Sequence, residues 1–229
     1  MSDLEPRSRG PDEHQRDGKN ARPAEDHVQK KSRIAKERDE EKRRAFIQAL
    51  KEIDPKELVF IDESGFSLAL YQHYGWAERG KRLVEAVPVN RGKNLSIIGA
   101  LDQEGLPAIR HKEGAIRRED VEAFLSEDLL PCLSPGSVIV LDNAKIHRGA
   151  TLEKIVTDAG CRLLYLPPYS PDFCAIELAW AWIKAAVRRL CPREVSSRVR
   201  AVEESARVLP PEFAPGWFGK CLRNCGVQC

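Results

Sequence analysis

Two short apolar runs break off abruptly at an aspartate: LVFIDESG at 58–65 and VIVLDNAKIH at 138–147. A strand that reads apolar without alternation is buried on both faces. The chain must therefore build a sheet with cover on either side. A third run, CRLLYLPPYSPD at 161–172, is strand-like and stopped by three prolines. In an open α/β sheet, ligands bind in the crevice beyond the strand ends. Polar residues delivered there by apolar strands are the first place to look for chemistry.

The segments between these runs set the topology. LALYQHYGWAERGKRL at 68–83 reads as a strand, a Gly-containing turn and a second short strand, with Tyr74 and Trp76 expected in the core. LSIIGALDQEGLPAIRHKEG at 95–114 reads as a hairpin turning at Asp102–Gly105. Between Arg117 and Leu130, apolar residues at Val121, Phe124, Leu125 and Leu129 have helical spacing. Ala150–Gly160 is a short helix with Gly160 as its C-cap. A helix is expected over Phe173–Leu190, capped by Asp172, and another over Arg198–Val208. Antiparallel strands come first, then helix, strand, helix, strand, helix. The fold class expected is α/β, a mixed sheet flanked by helices, as in the ribonuclease H-like arrangement.

The organisation expected along the chain has four parts. Residues 1–27 carry almost no large apolar residue and read as a disordered tail. Residues 28–54 form a charged linker helix, and only Ala45, Phe46, Ala49 and Leu50 offer it an apolar face. The ribonuclease H-like domain is expected over 55–192, with a C-terminal helix and tail over 193–229.

Bulk properties mainly exclude. At 42% hydrophobic, the 229 residues suit a globular chain. No run approaches a membrane span, and no apolar segment follows Met1, so a cytoplasmic location is expected. A net charge of +2 is not that of a DNA-coating protein, so nucleic-acid binding must come from local patches. Seven scattered cysteines are expected to be reduced. Cys221, Cys225 and Cys229 are read as free thiols ahead of a zinc site, which usually shows two close pairs.

Asp62 and Asp142 end strands that should lie side by side. Nearby carboxylates repel each other unless they share a proton or a cation. Magnesium takes oxygen ligands, and a pair of such ions can activate both the attacking and the leaving oxygen of a phosphodiester. Glu177, a lone acid among Ala175, Ile176, Leu178, Ala179 and Trp180, is the candidate third ligand. Spacing alone does not single out these three. Glu63, Asp102 and Asp172 are close by, although Glu63 should point to the sheet face opposite Asp62, Asp102 belongs to a turn, and Asp172 reads as a cap.

Four ordered blocks carry a family likeness: LVFIDESGF at 58–66, YGWAERGKR at 74–82, VIVLDNAKIH at 138–147 and LLYLPPYSPDFCAIELAW at 163–180. With 34 residues between Asp142 and Glu177, the chain resembles DDE transposases of the mariner superfamily, in the bacterial insertion-sequence branch called IS-six-thirty. The resemblance implies a ribonuclease H-like fold and two Mg²⁺ or Mn²⁺ ions held by Asp62, Asp142 and Glu177, with Asp62 the candidate bridge. It implies cleavage at transposon ends and strand transfer into target DNA at TA sites, by a homodimer in the nucleoid. Asn143 and His147 match the family's DN…H block and take supporting roles. Arg79, Lys81, Arg82, Tyr169, Lys184 and Arg188 are the candidates for touching DNA. For the last two, a solvated helix face is the competing reading.

The chain departs from the pattern in two places. Relatives commonly carry Asn-Pro where Cys174 and Ala175 stand here. Relatives also carry helix-turn-helix modules of about a hundred residues ahead of the catalytic domain, and the stretch before Leu58 has no such apolar pattern. Two expectations follow: a catalytic half working with a separately encoded helix-turn-helix partner, or a non-catalytic remnant that binds DNA or inhibits full-length transposase.

Overall fold

The computed structural model describes residues 35–67, 70, 74–84, 86, 94–190, 192 and 194–227. The disordered tail expected over 1–27, and the linker helix as far as residue 34, lie outside the described residues.

The sheet is the frame. Five strands, β1 (Leu58–Phe66), β2 (Leu95–Leu101), β3 (Ala108–Glu113), β4 (Val138–Leu141) and β5 (Arg162–Tyr165), lie in the order β3-β2-β1-β4-β5. β1, β2 and β3 form an antiparallel meander, and β4 and β5 run parallel to β1. The three apolar runs read from the sequence are β1 at the centre, β4 beside it and β5 at the edge, and β4 is buried at every residue. The β2–β3 hairpin turns where expected: Asp102 Oδ1 accepts from the backbone N–H of Glu104 (2.8 Å) and Gly105 (2.9 Å). Gly105 has φ of 141°, a conformation that suits a residue without a Cβ.

Helices cover both faces, and strand alternation assigns residues to each. Val59 and Ile61 of β1 face one core, with Val121, Phe124 and Leu125 from the helical stretch α2 (Arg118–Ala123) and its π-helical continuation Phe124–Leu129. α3 (Ala150–Asp158) adds Leu152 and Val156 and ends at Gly160, whose φ is 74°. Leu58, Phe60 and Phe66 face the other core. There they meet α1 (Glu40–Lys51), α4 (Ile176–Leu190), α5 (Val195–Arg207) and α6 (Phe213–Asn224).

Residues from Ala35 onward fall in one compact unit, so α1, α5 and α6 belong to the same core as the sheet. In α1, Asp39 caps the backbone N–H of Glu41 (3.1 Å) and Lys42 (3.0 Å). Its buried face is Arg43, Phe46 and Leu50, while Ala45 and Ala49 stay exposed. α6 was not read from the sequence, yet it buries Ala214, Phe218, Cys221 and Leu222. Cys221 and Cys225 are free and buried, and Cys229 lies outside the described residues.

Two expectations are corrected. Tyr74 and Trp76 are not core: they are 92% and 101% exposed, on a segment, 74–84, that forms no strand. β1 already pairs on both edges, with β2 and β4, so this segment finds no strand edge beside β1 to bury its rings. The first strand expected within 68–83 falls largely outside the described residues. Second, the helix bearing Glu177 starts at Ile176, three residues later than expected, and Asp172 does not cap it. Asp172 sits in a separate 3₁₀ turn, Pro171–Phe173, and pairs with Arg43. No described helix is long and apolar enough to cross a membrane.

Candidate active site

Parallel pairing brings the two aspartates together. Phe60 lies beside Val140, so the same register carried two residues further sets Asp62 beside Asp142, at the carboxyl end of β4. Glu177 approaches from the second residue of α4, where the free N–H groups of a helix start favour negative charge. All three carboxylates line one cavity of about 700 Å³. Asn143, Ala144, Lys145, Arg148, the Leu166–Pro171 loop, Cys174 and Lys42 complete its wall.

Asp62 is the most perturbed of the three. Burial, the charge of Glu177 and that of Glu63 push its pKa up to about 7. Its Oδ2 accepts a hydrogen bond from the Trp180 indole N–H at 3.1 Å. The contact depends on Gly99, which faces Asp62 across the β1–β2 pairing. A Cβ on Gly99 would lie 2.8 Å from the Trp180 ring. The absence of a side chain there lets the indole lie against β2 and reach the carboxylate.

Asp142 has the opposite electrostatics. A hydrogen bond from His147 holds its carboxyl below the usual range, aided by the Ala144 N–H and opposed by burial. His147 Nδ1 lies 2.5 Å from Asp142 Oδ1, and Ala144 N donates to that same oxygen at 2.9 Å. Oδ2 of Asp142 receives no donor among the described residues. The other nitrogen of His147 lies 2.7 Å from Glu63 Oε1. Burial works against charge on this ring, but the hydrogen bonds to Asp142 and Glu63 outweigh it and push the pKa up to about 10. His147 thus has a carboxylate oxygen within hydrogen-bond reach of each ring nitrogen, an arrangement that favours the protonated ring. Tyr165 holds the same turn, donating from its hydroxyl to the His147 carbonyl at 3.0 Å. Asn143 accepts from Arg148 Nε at the cavity rim.

The loop leading to Glu177 is gripped from two sides. Arg43 of α1 makes a two-pronged ion pair with Asp172, at 3.0 and 2.7 Å, and its guanidinium lies 3.6 Å over the Phe173 ring. From α6, Asn224 Nδ2 donates to the Asp172 carbonyl and the Cys221 thiol to the Phe173 carbonyl, both at 3.0 Å. Tyr169 in this loop has φ of 54° and is exposed at the cavity edge. Cys174 and Ala175 are both buried, and burial pushes the Cys174 thiol well up, helped by Asp62 and Glu177.

The remaining sequence candidates sit apart from the cavity wall. Arg79, Lys81 and Arg82 are exposed on the 74–84 segment, where Lys81 pairs with Glu78. Lys184 and Arg188 are half-buried further along α4, with the Lys184 ammonium 5.7 Å from the Phe66 ring centre. Sequence reasoning missed Glu63, whose partner is 84 residues distant, and the basic rim of Lys42, Lys145 and Arg148.

A hard divalent cation fits the donor set: three carboxylates on one cavity, one of them raised in pKa to about 7 by burial and by its acidic neighbours. Among the described residues, no three His, Cys, Asp or Glu side chains already close on a single point. They line an open cavity.

A meander of three strands, two parallel strands, helices on both faces and acids at the sheet's carboxyl edge define a ribonuclease H-like fold. The model of the DDE superfamily endonuclease family matches residues 57–198, well over half the chain, and the chain belongs to that family. No curated protein matches the sequence. Among solved structures, the fold is similar to "Mos1 transposase paired-end complex with left transposon end", at 17% identity and a TM-score of 0.73, covering 87% of this chain and 65% of that one. It is also similar to the Mos1 mariner paired end complex with Mg (16% identity, TM-score 0.66, covering 89% and 68%). The catalytic domain of Mos1 mariner transposase alone gives 14% identity and a TM-score of 0.62, covering 85% and 93%. The chain thus spans about two thirds, 65%, of the first of these transposase chains.

Proposed function

We propose that this chain is the catalytic part of a DNA transposase, cleaving strands at transposon ends and joining them to target DNA. The observation that carries the reading is the single cavity lined by Asp62, Asp142 and Glu177 in a chain of the DDE superfamily endonuclease family. The bacterial insertion-sequence branch, TA target sites and a homodimeric active complex are finer parts of the proposal and rest on the likeness of the motif blocks; a separately encoded helix-turn-helix partner and a cytoplasmic, nucleoid-bound location complete it.

Asp62, Asp142 and Glu177 would hold Mg²⁺ or Mn²⁺, two ions in the reading adopted here. Bound there, such ions lower the pKa of an attacking water or 3′-hydroxyl and neutralise charge on the scissile phosphate. The chain's own residues set the stage. Trp180 orients Asp62 through its N–H. Asp142 is held ionised by His147, and it offers the oxygen that carries no internal donor. Lys42, Lys145 and Arg148 on the rim supply positive charge for a phosphate backbone. Arg79, Lys81, Arg82, Tyr169, Lys184 and Arg188 are assigned to flanking DNA, with Asn143 supporting the rim.

The test is nicking of supercoiled DNA by the full chain in Mg²⁺ or Mn²⁺. Asp142→Asn and Glu177→Gln should each abolish it. Nicking unchanged by either substitution refutes the site.

A further inference from the structure

Asp142 is aimed from the far side of the sheet. Asp62 and Glu63 are neighbours on β1, so the pleat sends them to opposite faces. Asp62 faces the α4 side and meets Trp180, whereas Glu63 shares the face of Val59 and Ile61. On that face Glu63 Oε1 takes Nε2 of His147 at 2.7 Å, and the opposite nitrogen of the ring grips Asp142 Oδ1 at 2.5 Å. The ring is 1% exposed, so no water substitutes for either partner. Asp142 itself is 55% exposed and follows the last residue of β4, where nothing in the strand ladder fixes its side chain.

We propose that Glu63 is a positioning residue, acting through His147 to lock Asp142 with Oδ1 turned inward and Oδ2 alone presented to the cavity. The inference rests on the reading of the cavity as a divalent-cation site. A one-oxygen ligand suits an octahedral ion such as Mg²⁺ or Mn²⁺ better than a carboxylate free to bind through both oxygens. Two nitrogens on Oδ1, Nδ1 of the His147 ring at 2.5 Å and the Ala144 N–H at 2.9 Å, enforce that choice. Glu63 in turn keeps the imidazole from rotating about its bond to Asp142. Such carboxylate–histidine supports commonly govern affinity without touching the ion.

Two conservative variants separate position from charge. Glu63→Asp keeps the charge but is one methylene too short to reach Nε2. Glu63→Gln keeps the reach and an acceptor oxygen but loses the charge. Mn²⁺ binding is read on the full chain from the free-ion electron paramagnetic resonance signal, with melting in EDTA as the metal-free control. Glu63→Asp should weaken Mn²⁺ binding about 10–100-fold, and Glu63→Gln should recover most of that loss. In DNA nicking, Glu63→Asp should lower kcat and leave the KM for DNA unchanged. Wild-type affinity in Glu63→Asp, or a greater loss in Glu63→Gln than in Glu63→Asp, overturns the proposal. Asp62→Asn is the arm that tests the underlying site. If it loses Mn²⁺ while Glu63→Asp does not, only the positioning role fails. If it binds as wild type does, the cavity is not the metal site and both readings fall.

Discussion

Replacing Asp62 with asparagine should make the metal-free protein more stable. The folded chain holds this carboxyl at a pKa of about 7, against 3.8 for an unhindered one, because ionising it costs burial and repulsion from Glu177 and Glu63. A gap of roughly three units corresponds to about 4 kcal/mol at 1.36 kcal/mol per unit. The sign follows from proton counting. Between the two pKa values the folded state holds a proton that the unfolded state has released, so stability falls as pH rises from about 4 to about 7 and then levels off. Asparagine keeps the shape and an acceptor for the Trp180 N–H but never ionises. The variant should therefore match the wild type near pH 4 and exceed it above pH 7, by about 10 °C in Tm at 2–4 °C per kcal/mol. Differential scanning calorimetry in EDTA across this range isolates the cavity, since titrations of groups away from it cancel in the difference. Saturating Mg²⁺ should raise the wild type far more than the variant, because ligand stabilisation goes only to the state that binds. An Asp62→Asn protein no more stable than wild type at pH 8 in EDTA, or an advantage independent of pH, would refute the idea that carboxylate crowding governs the site.

Other substitutions probe the frame. Gly99→Ala should cost about 1–3 kcal/mol by overpacking Trp180, and should weaken Mn²⁺ binding because the indole can no longer reach Asp62; urea denaturation and ion titration check both. Arg43→Ala should cost about 2 kcal/mol through the lost ion pair and ring stack, and Arg43→Lys should restore less than half of it, lacking the flat fork; equal stabilities for Lys and Arg would contradict the geometry. His147 has a raised pKa, so its ion pairs contribute in full below about 6.5 and are lost as pH rises through about 10. The stability gap between wild type and His147→Asn should accordingly close between those pH values in EDTA, as followed by thermal melts.

What the sequence made legible was local. The runs at β1 and β4 revealed themselves by composition, and a register between adjacent parallel strands is short-range once the strands are known. Asp62 and Asp142 followed from that, and Glu177 from its isolation among apolar neighbours. Residues whose meaning lies in a distant partner were missed. Asp172 has every local mark of a cap, yet its side chain answers to Arg43, 129 positions away. Glu63 was correctly placed on the far face, but nothing local says that His147 waits there. α6 was hidden by its composition, FAPGWFGKCLRN, because a proline and two glycines argue against a helix. Pro215 falls in the first turn, where its missing N–H has no helical partner to lose, and the burial of Phe218 and Leu222 overrides the glycines. Tyr74 and Trp76 failed the other way, since aromatic character suggested burial that the completed sheet does not offer.

The double grip on the Pro171–Phe173 turn bears on where this enzyme ends. The stretch that marks the family, 57–198, contains every acid of the cavity but neither α1 nor α6. A fragment trimmed to those limits would keep the chemistry's vocabulary and lose its grammar: Arg43, Cys221 and Asn224 would be gone, and Phe173 and Phe60 would lose their ring partners Phe46 and Phe218. Heritable signature and folding unit are different lengths here.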